Sequence, residues 1–270
     1  MSFDSNRAWQ DASAAVRANR EVLAVLAGVF VLLPTLAVAV LCPLPVPPAG
    51  ASQEKIAELI LAWLGDNRWW LLGMVVAYDL GGLAMLSLLR DHARPTVGEA
   101  IGQALGGLVP LLLARLMTMA VLLVVFMLVL GLTALAGAMA GATLGAVLCL
   151  AITVYALIRT AMVAPLIAKE GLRTPHLALR RSWQLTKGHV AGIGLFFGLV
   201  WIAYQVVSFI ITKVVDLVAL QVAGAGPAAF VTALAGSLLA AVFSTYIAAM
   251  LGATHRQLAH PAGSGAIPHG

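Results

Sequence analysis

Asp79, Arg115 and Arg159 each interrupt a long apolar stretch, and these residues have the strongest claim to chemistry in the chain. A charge at the centre of a membrane helix costs about 2.5 to 3.5 kcal/mol on insertion scales, so each needs a partner or water. Arginine is long enough to reach toward an interface, whereas aspartate is not. At a rise of about 1.5 Å per residue, Asp79 lies about 15 Å, Arg115 about 10 Å and Arg159 about 12 Å from the same membrane edge. One layer holding all three is therefore expected, with Asp79 paired to Arg115 or Arg159 and the surplus positive charge available to a lipid phosphate or another anion. A packing ion pair plus one arginine reaching for the interface would account for the same residues without a ligand. Gln205 extends this candidate anion site: with Ser208 and Thr212 it recurs on one face beside Trp201, placed either to line a pathway or to bond to a neighbouring helix.

The second concentration of functional groups runs from Arg159 to His189, RTAMVAPLIAKEGLRTPHLALRRSWQLTKGH. Apolar sequence ends at Ala168, Lys169, Glu170 and Arg173 make a charged turn, and a short basic helix follows. Thr174 can cap it, Pro175 suits its first position, and Gly188 can end it. Arg180, Gln184 and Lys187 fall on one face, with Ala178, Leu179, Ser182, Trp183 and Leu185 on the other. This pattern describes a membrane helix that surfaces, lies along the interface and dives back. Arg173, Arg180, Arg181 and Lys187 would each add about 1 kcal/mol of attraction to anionic headgroups.

The order Pro165, Glu170, Pro175, Arg180, Arg181, Ser182, Trp183, Leu185, Thr186, Gly188 resembles the signature of the glycerophosphoryl diester phosphodiesterase membrane-domain family. Outside this stretch the likeness is one of general layout. The resemblance implies a polytopic bacterial inner-membrane protein; some members of that family carry a soluble phosphodiesterase barrel, and no such barrel fits this chain.

Composition agrees with a lipid environment. The chain is 61% hydrophobic and 10% charged, with a mean hydropathy of +0.99, against roughly 25% charged in globular proteins. No Ser, His and Asp set, carboxylate pair, phosphate-cradling glycine loop or metal-ligand cluster stands at usable spacing. The six histidines are scattered; His176 and His189 read as wetted interfacial side chains. Cys42 and Cys149 read as free thiols, and neither a metal nor a cofactor is expected.

The elements that must position these residues follow from apolar length. An all-α membrane protein with six spans is expected, at about Val22–Leu41, Trp69–Leu89, Leu108–Leu132, Ala142–Ile167, Val190–Thr212 and Ala228–Gly252. The first could be taken for a signal peptide, but its length favours a retained span. Three short interfacial helices precede span pairs: residues 1–20, with Phe3, Trp9, Ala12 and Val16 toward lipid; a helix opened by the capping pair Thr96 and Glu99, with Gly98, Gly102 and Gly106 on one face; and the basic helix after Thr174. They suggest three two-span pseudo-repeats, supported by the kinship of Arg90–Pro95 with Arg173–Pro175. A surface helix around Ile56–Trp63, a bend marked by Gly131, Gly137 and Gly141, and a loop through Lys213, Asp216 and Pro227 complete the layout. Residues 1–254 form the membrane domain, and 255–270 a disordered cytoplasmic tail.

Cations set the orientation. Arg7, Arg17, Arg20, Arg90, Arg94, Lys169, Arg173, Arg180, Arg181, Lys187 and Arg256 fall on one side of the six-span layout, against Lys55, Arg68 and Lys213 on the other. Both termini are therefore expected in the cytoplasm, and the basic pI of about 9.6 needs no nucleic-acid partner. The favoured function is a non-enzymatic module that engages phospholipids or organises a protein partner or a second copy. A transporter of a small amphiphile would need a polar cavity, and an intramembrane enzyme on phosphodiester lipids would need a carboxylate and histidine cluster.

Overall fold

A computed structural model of the chain describes residues 3–89, 96–135 and 137–259, and every element in it is helical. In chain order these are α1 (Ser5–Ala18), α2 (Arg20–Ala27), a π turn (Gly28–Leu32), α3 (Leu33–Leu41), α4 (Gln53–Asp66), α5 (Arg68–Leu88), α6 (Val97–Ala134), α7 (Ala138–Thr160), α8 (Val163–Glu170), α9 (Pro175–Thr186), α10 (Val190–Ala223) and α11 (Ala225–Ala259). Among the described residues, 6 helical stretches are long and apolar enough to cross a membrane. The protein is a polytopic membrane protein. Buried side chains concentrate on α5 and α11, which pack together with the α2–π–α3 span, while α6, α7 and α10 present most of their apolar surface outward. Lipid solvates such faces as well as protein does, which is why so much leucine and valine stays uncovered.

The first span is one rod with a widened turn. Pro34 has no amide to give and its ring would press on the carbonyl four residues back. The chain answers by shifting to a wider ladder, in which the Leu33 amide bonds the Gly28 carbonyl and Thr35 Oγ1 donates to Val31 O at 2.7 Å. This turn lies directly against α5, at Gly81, and places Val31 in the protein interior.

Several expected boundaries move, each for a local reason. The helix opened by Thr96 is not separate from span three: the capping box forms, with Thr96 N–H donating to Glu99 Oε2 at 2.8 Å and Glu99 N–H to Thr96 Oγ1 at 3.3 Å, and α6 then runs on without a break through Pro110 to Ala134. Span four instead breaks at Ala161 and Met162, because Pro165 would leave the Ala161 carbonyl unpaired in a continuous helix but sits without loss in the first turn of α8. Lys213 and Asp216 are not in a loop. No helix breaker separates them from Val190, so α10 continues to Ala223, where Gly224 at φ +80° makes the turn and Asp216 accepts from Thr232 Oγ1 at 3.2 Å. The bend between spans three and four falls at Gly137, φ +96°. Gly141, just beyond, lies so close to the Thr133 carbonyl that a side chain there would overlap backbone.

The amino-terminal helix is also corrected. Ala12, expected to face lipid, is fully buried with Ala8 against α11, since two alanines a turn apart let helices approach closely. Phe3 packs on Phe196 with ring centroids 5.7 Å apart, Val16 packs against the core, and Trp9 stacks on Tyr246 at 5.8 Å. This docking orders the start of the expected tail: α11 extends to Ala259, His255 is 4% exposed, and its Nε2 lies 2.9 Å from Glu170 Oε1. The first and last described helices meet, with Asp4 N–H donating to Gln257 Oε1 and Gln257 Nε2 donating to Asp4 O. An even number of crossings follows. Residues 260–270 and the Arg90–Pro95 part of the repeat argument lie outside the described residues.

Candidate functional site

Asp79 and Arg115 come together. Asp79 lies mid-way along α5, on the face that packs against α6, and Arg115 reaches across from α6 to set Nη2 2.6 Å from Asp79 Oδ1. The two partners are unequally housed, with 2% of the Asp79 side chain exposed against 54% of that of Arg115. Asp79 Oδ2 is buried and has no hydrogen-bond partner, and Arg115 makes no other polar contact among the described residues.

The pair opens onto a cavity of about 390 Å³ between α5, α6 and α11. Helical spacing explains its walls: Gly82, Leu83 and Leu86 follow Asp79 along α5, Leu111 lies one turn before Arg115, and Phe243, Ser244 and Ile247 come from α11. Tyr78 on α5, Val31 on the π turn, Tyr204 on α10 and Ala164 on α8 add to the lining. Tyr204 stacks on Phe243, with centroids 4.0 Å apart and planes 14° from parallel. Apart from the ion pair, Ser244 and the two tyrosine hydroxyls, the walls are apolar. The size and character suit one small ligand or the head region of a larger one.

Arg159 does not join this pair. Its guanidinium is drawn away by α9: Nη1 donates to Trp183 O at 2.9 Å and Thr186 Oγ1 at 3.2 Å, Nε donates to Tyr155 Oη at 3.1 Å, and the group lies 4.6 Å from the Trp183 ring centroid. Ser182, fully buried, returns a bond from Oγ to Arg159 O at 2.6 Å. The carbonyl it serves is one of those left open at the end of α7. Ser182, Trp183 and Thr186 therefore act as a clasp between α9 and α7. Ser182→Ala should leave that carbonyl unpaired and lower stability by about 1 to 3 kcal/mol, read as a lower melting temperature in detergent, with faster amide exchange across α9. Unchanged exchange in α9 would show that the clasp does not hold it.

The other candidates are dispersed. Gln205 is exposed on the outer side of α10, one residue from Tyr204, which faces inward and lines the cavity in its stead. Arg180, Arg181 and Lys187 are exposed on the outer face of α9 and its end. Arg173 lays its guanidinium against Gly106 of α6, and Glu170 meets His255. Neither free cysteine lines the cavity, and no group of three or more His, Cys, Asp or Glu residues that could hold a metal occurs among the described residues.

Comparison with protein-family models, with curated proteins and with solved structures finds no match to this chain. The functional reading therefore rests on the site. Sequence reasoning named its charges but missed Tyr78, Gly82, Tyr204, Phe243 and Ser244. A Gly-Gly step two and three residues after an intramembrane aspartate was the one available signal for Gly82.

Proposed function

We propose that the protein is a membrane-embedded amphiphile-binding module that seats a polar head at Asp79 and Arg115 and apolar segments along the rest of the cavity. The observation that carries this reading is a buried, incompletely satisfied aspartate, paired with a half-exposed arginine, opening onto a mostly apolar cavity among helices long and apolar enough to cross a membrane. Holding such a charge away from water costs several kcal/mol unless something repays it, and intramembrane ionisable residues accordingly mark ligand sites. The apolar lining favours holding over passage, because a transport path would need polar groups on both sides of the pair, and Gln205 faces away from it. No histidine lines the cavity, so the lining offers no carboxylate and histidine pair for hydrolysis.

Native mass spectrometry of gently solubilised protein tests the reading. A side chain starting at Gly82 meets nothing within 4 Å of its Cβ, so Gly82→Leu should obstruct part of the cavity without moving backbone. Wild type should retain a bound amphiphile through gentle activation, and Gly82→Leu should lose it. Equal retention by both would remove the cavity from consideration.

The same reading includes a bacterial inner-membrane location with both termini in the cytoplasm, and kinship with the phosphodiesterase membrane-domain family through the Pro165–Gly188 stretch. Reporter fusions after His176 and at the C-terminus should report cytoplasm, and fusions near Ser52 and Gly224 periplasm. A periplasmic C-terminus would reverse the orientation.

A further inference from the structure

We infer that the head group this cavity takes is zwitterionic, an ammonium joined to an acid group, with the ammonium between the Asp79 carboxylate and the aromatic rings of the lining and the acid at the guanidinium of Arg115. The inference rests on the amphiphile-binding reading and narrows it to one charge class.

Three observations lead there. Asp79 Oδ2 is a buried acceptor without a donor, on a side chain only 2% exposed that lines the cavity. A carboxylate oxygen in that position calls for a donor, and the most favourable one is a cation. Next to it, Arg115 spends one nitrogen on Asp79 Oδ1 and keeps the rest of its donor fork unused, which suits the oxygens of a phosphate or carboxylate. Finally, Tyr78, Tyr204 and Phe243 all line the same cavity, and aromatic rings stabilise ammonium groups far better than they stabilise anions.

Charge balance selects the combination over either half. The ion pair is neutral as a unit, so a purely anionic or purely cationic ligand would leave one net charge in a weakly polar site, where unbalanced charge is most costly. A zwitterion keeps the site neutral and satisfies both open valences at once. A primary ammonium would donate a hydrogen bond to Oδ2, whereas a quaternary ammonium would rely on the rings; both belong to the inferred class.

The test uses the full chain in detergent micelles with dioctanoyl lipids that differ only in head group: phosphatidylethanolamine, phosphatidylcholine and phosphatidylglycerol, with dodecylamine as the cation-only probe. Occupancy is read by native mass spectrometry. At least one of the two zwitterionic lipids should bind about tenfold or more tightly than phosphatidylglycerol and dodecylamine. Preference for the ethanolamine lipid over the choline lipid would make the Asp79 carboxylate the ammonium's main partner, and the reverse would make it the rings, both within the inferred class. Asp79→Asn should erase the advantage over phosphatidylglycerol, while the wild-type ranking tests the idea even if that variant folds poorly. Phosphatidylglycerol or dodecylamine binding as tightly as both zwitterions in wild type, with Gly82→Leu still abolishing binding, would overturn the head-group inference and leave the cavity reading standing. Binding unaffected by Gly82→Leu would overturn both.

Discussion

Arg115→Met should destabilise the protein more than Asp79→Asn, although both break the same ion pair. The reason lies in how unequally the partners are housed. Asp79 is 2% exposed and cannot reach any interface, so removing Arg115 strands a carboxylate in the protein interior. Stranding one member of a buried pair typically costs about 3 to 5 kcal/mol. Arg115 is 54% exposed on a long flexible stem, and after Asp79→Asn it can swing toward a headgroup or water while the asparagine retains an acceptor. That loss should stay below about 2 kcal/mol. The double change Asp79→Leu with Arg115→Met should recover most of the stability, since well-packed apolar pairs often equal or exceed buried ion pairs. Reversible unfolding in mixed micelles would measure all three. If Asp79→Asn proved as costly as Arg115→Met, Arg115 would have to be locked in place by more than its partner.

Neighbouring glycines on α5 should respond in opposite ways. A Cβ on Gly81 would lie 2.6 Å from Phe30 Cβ, and both atoms are fixed to their backbones, so α5 and the π turn would have to separate. Gly81→Val should therefore cost about 1 to 3 kcal/mol through overpacking and loosen the cavity wall that Val31 supplies. Gly82→Ala meets nothing within 4 Å and should be neutral or stabilising by up to about 1 kcal/mol, because alanine is the better helix former. Melting temperatures of the two variants in the same detergent would decide it. A similar loss at both positions would mean that backbone freedom in α5, rather than the close approach to Phe30, is what the glycines provide.

Much of the fold was legible along the chain, because membrane spans are set by a local quantity, the length of apolar sequence, and helix starts by cap chemistry a few residues wide. The six candidate spans, the Thr96–Glu99 capping box, the surface helix before Asn67 and the turn at Gly137 are all of this kind. The errors came where an apolar helix had no reason to stop or a proline had one to act. α10 runs past Lys213 and Asp216 because lipid-length arguments do not end a helix, whereas Pro165 breaks the fourth span inside an unbroken apolar run.

What sequence alone could not decide was which charge meets which. Depth placed Asp79, Arg115 and Arg159 in one layer, yet depth is only one coordinate. The rotation of each helix about its axis and the identity of its neighbours are fixed by packing between distant segments. Those contacts give Arg115 to Asp79 and hand Arg159 to the carbonyl and ring of Trp183 on α9. The same rotations turn Gln205 outward and Tyr204 inward, and bring Phe243 and Ser244 from the last helix to the same cavity as Asp79 from the second span. The charges at the site were thus legible in the sequence, and the cavity that surrounds them exists only once six helices have chosen their faces.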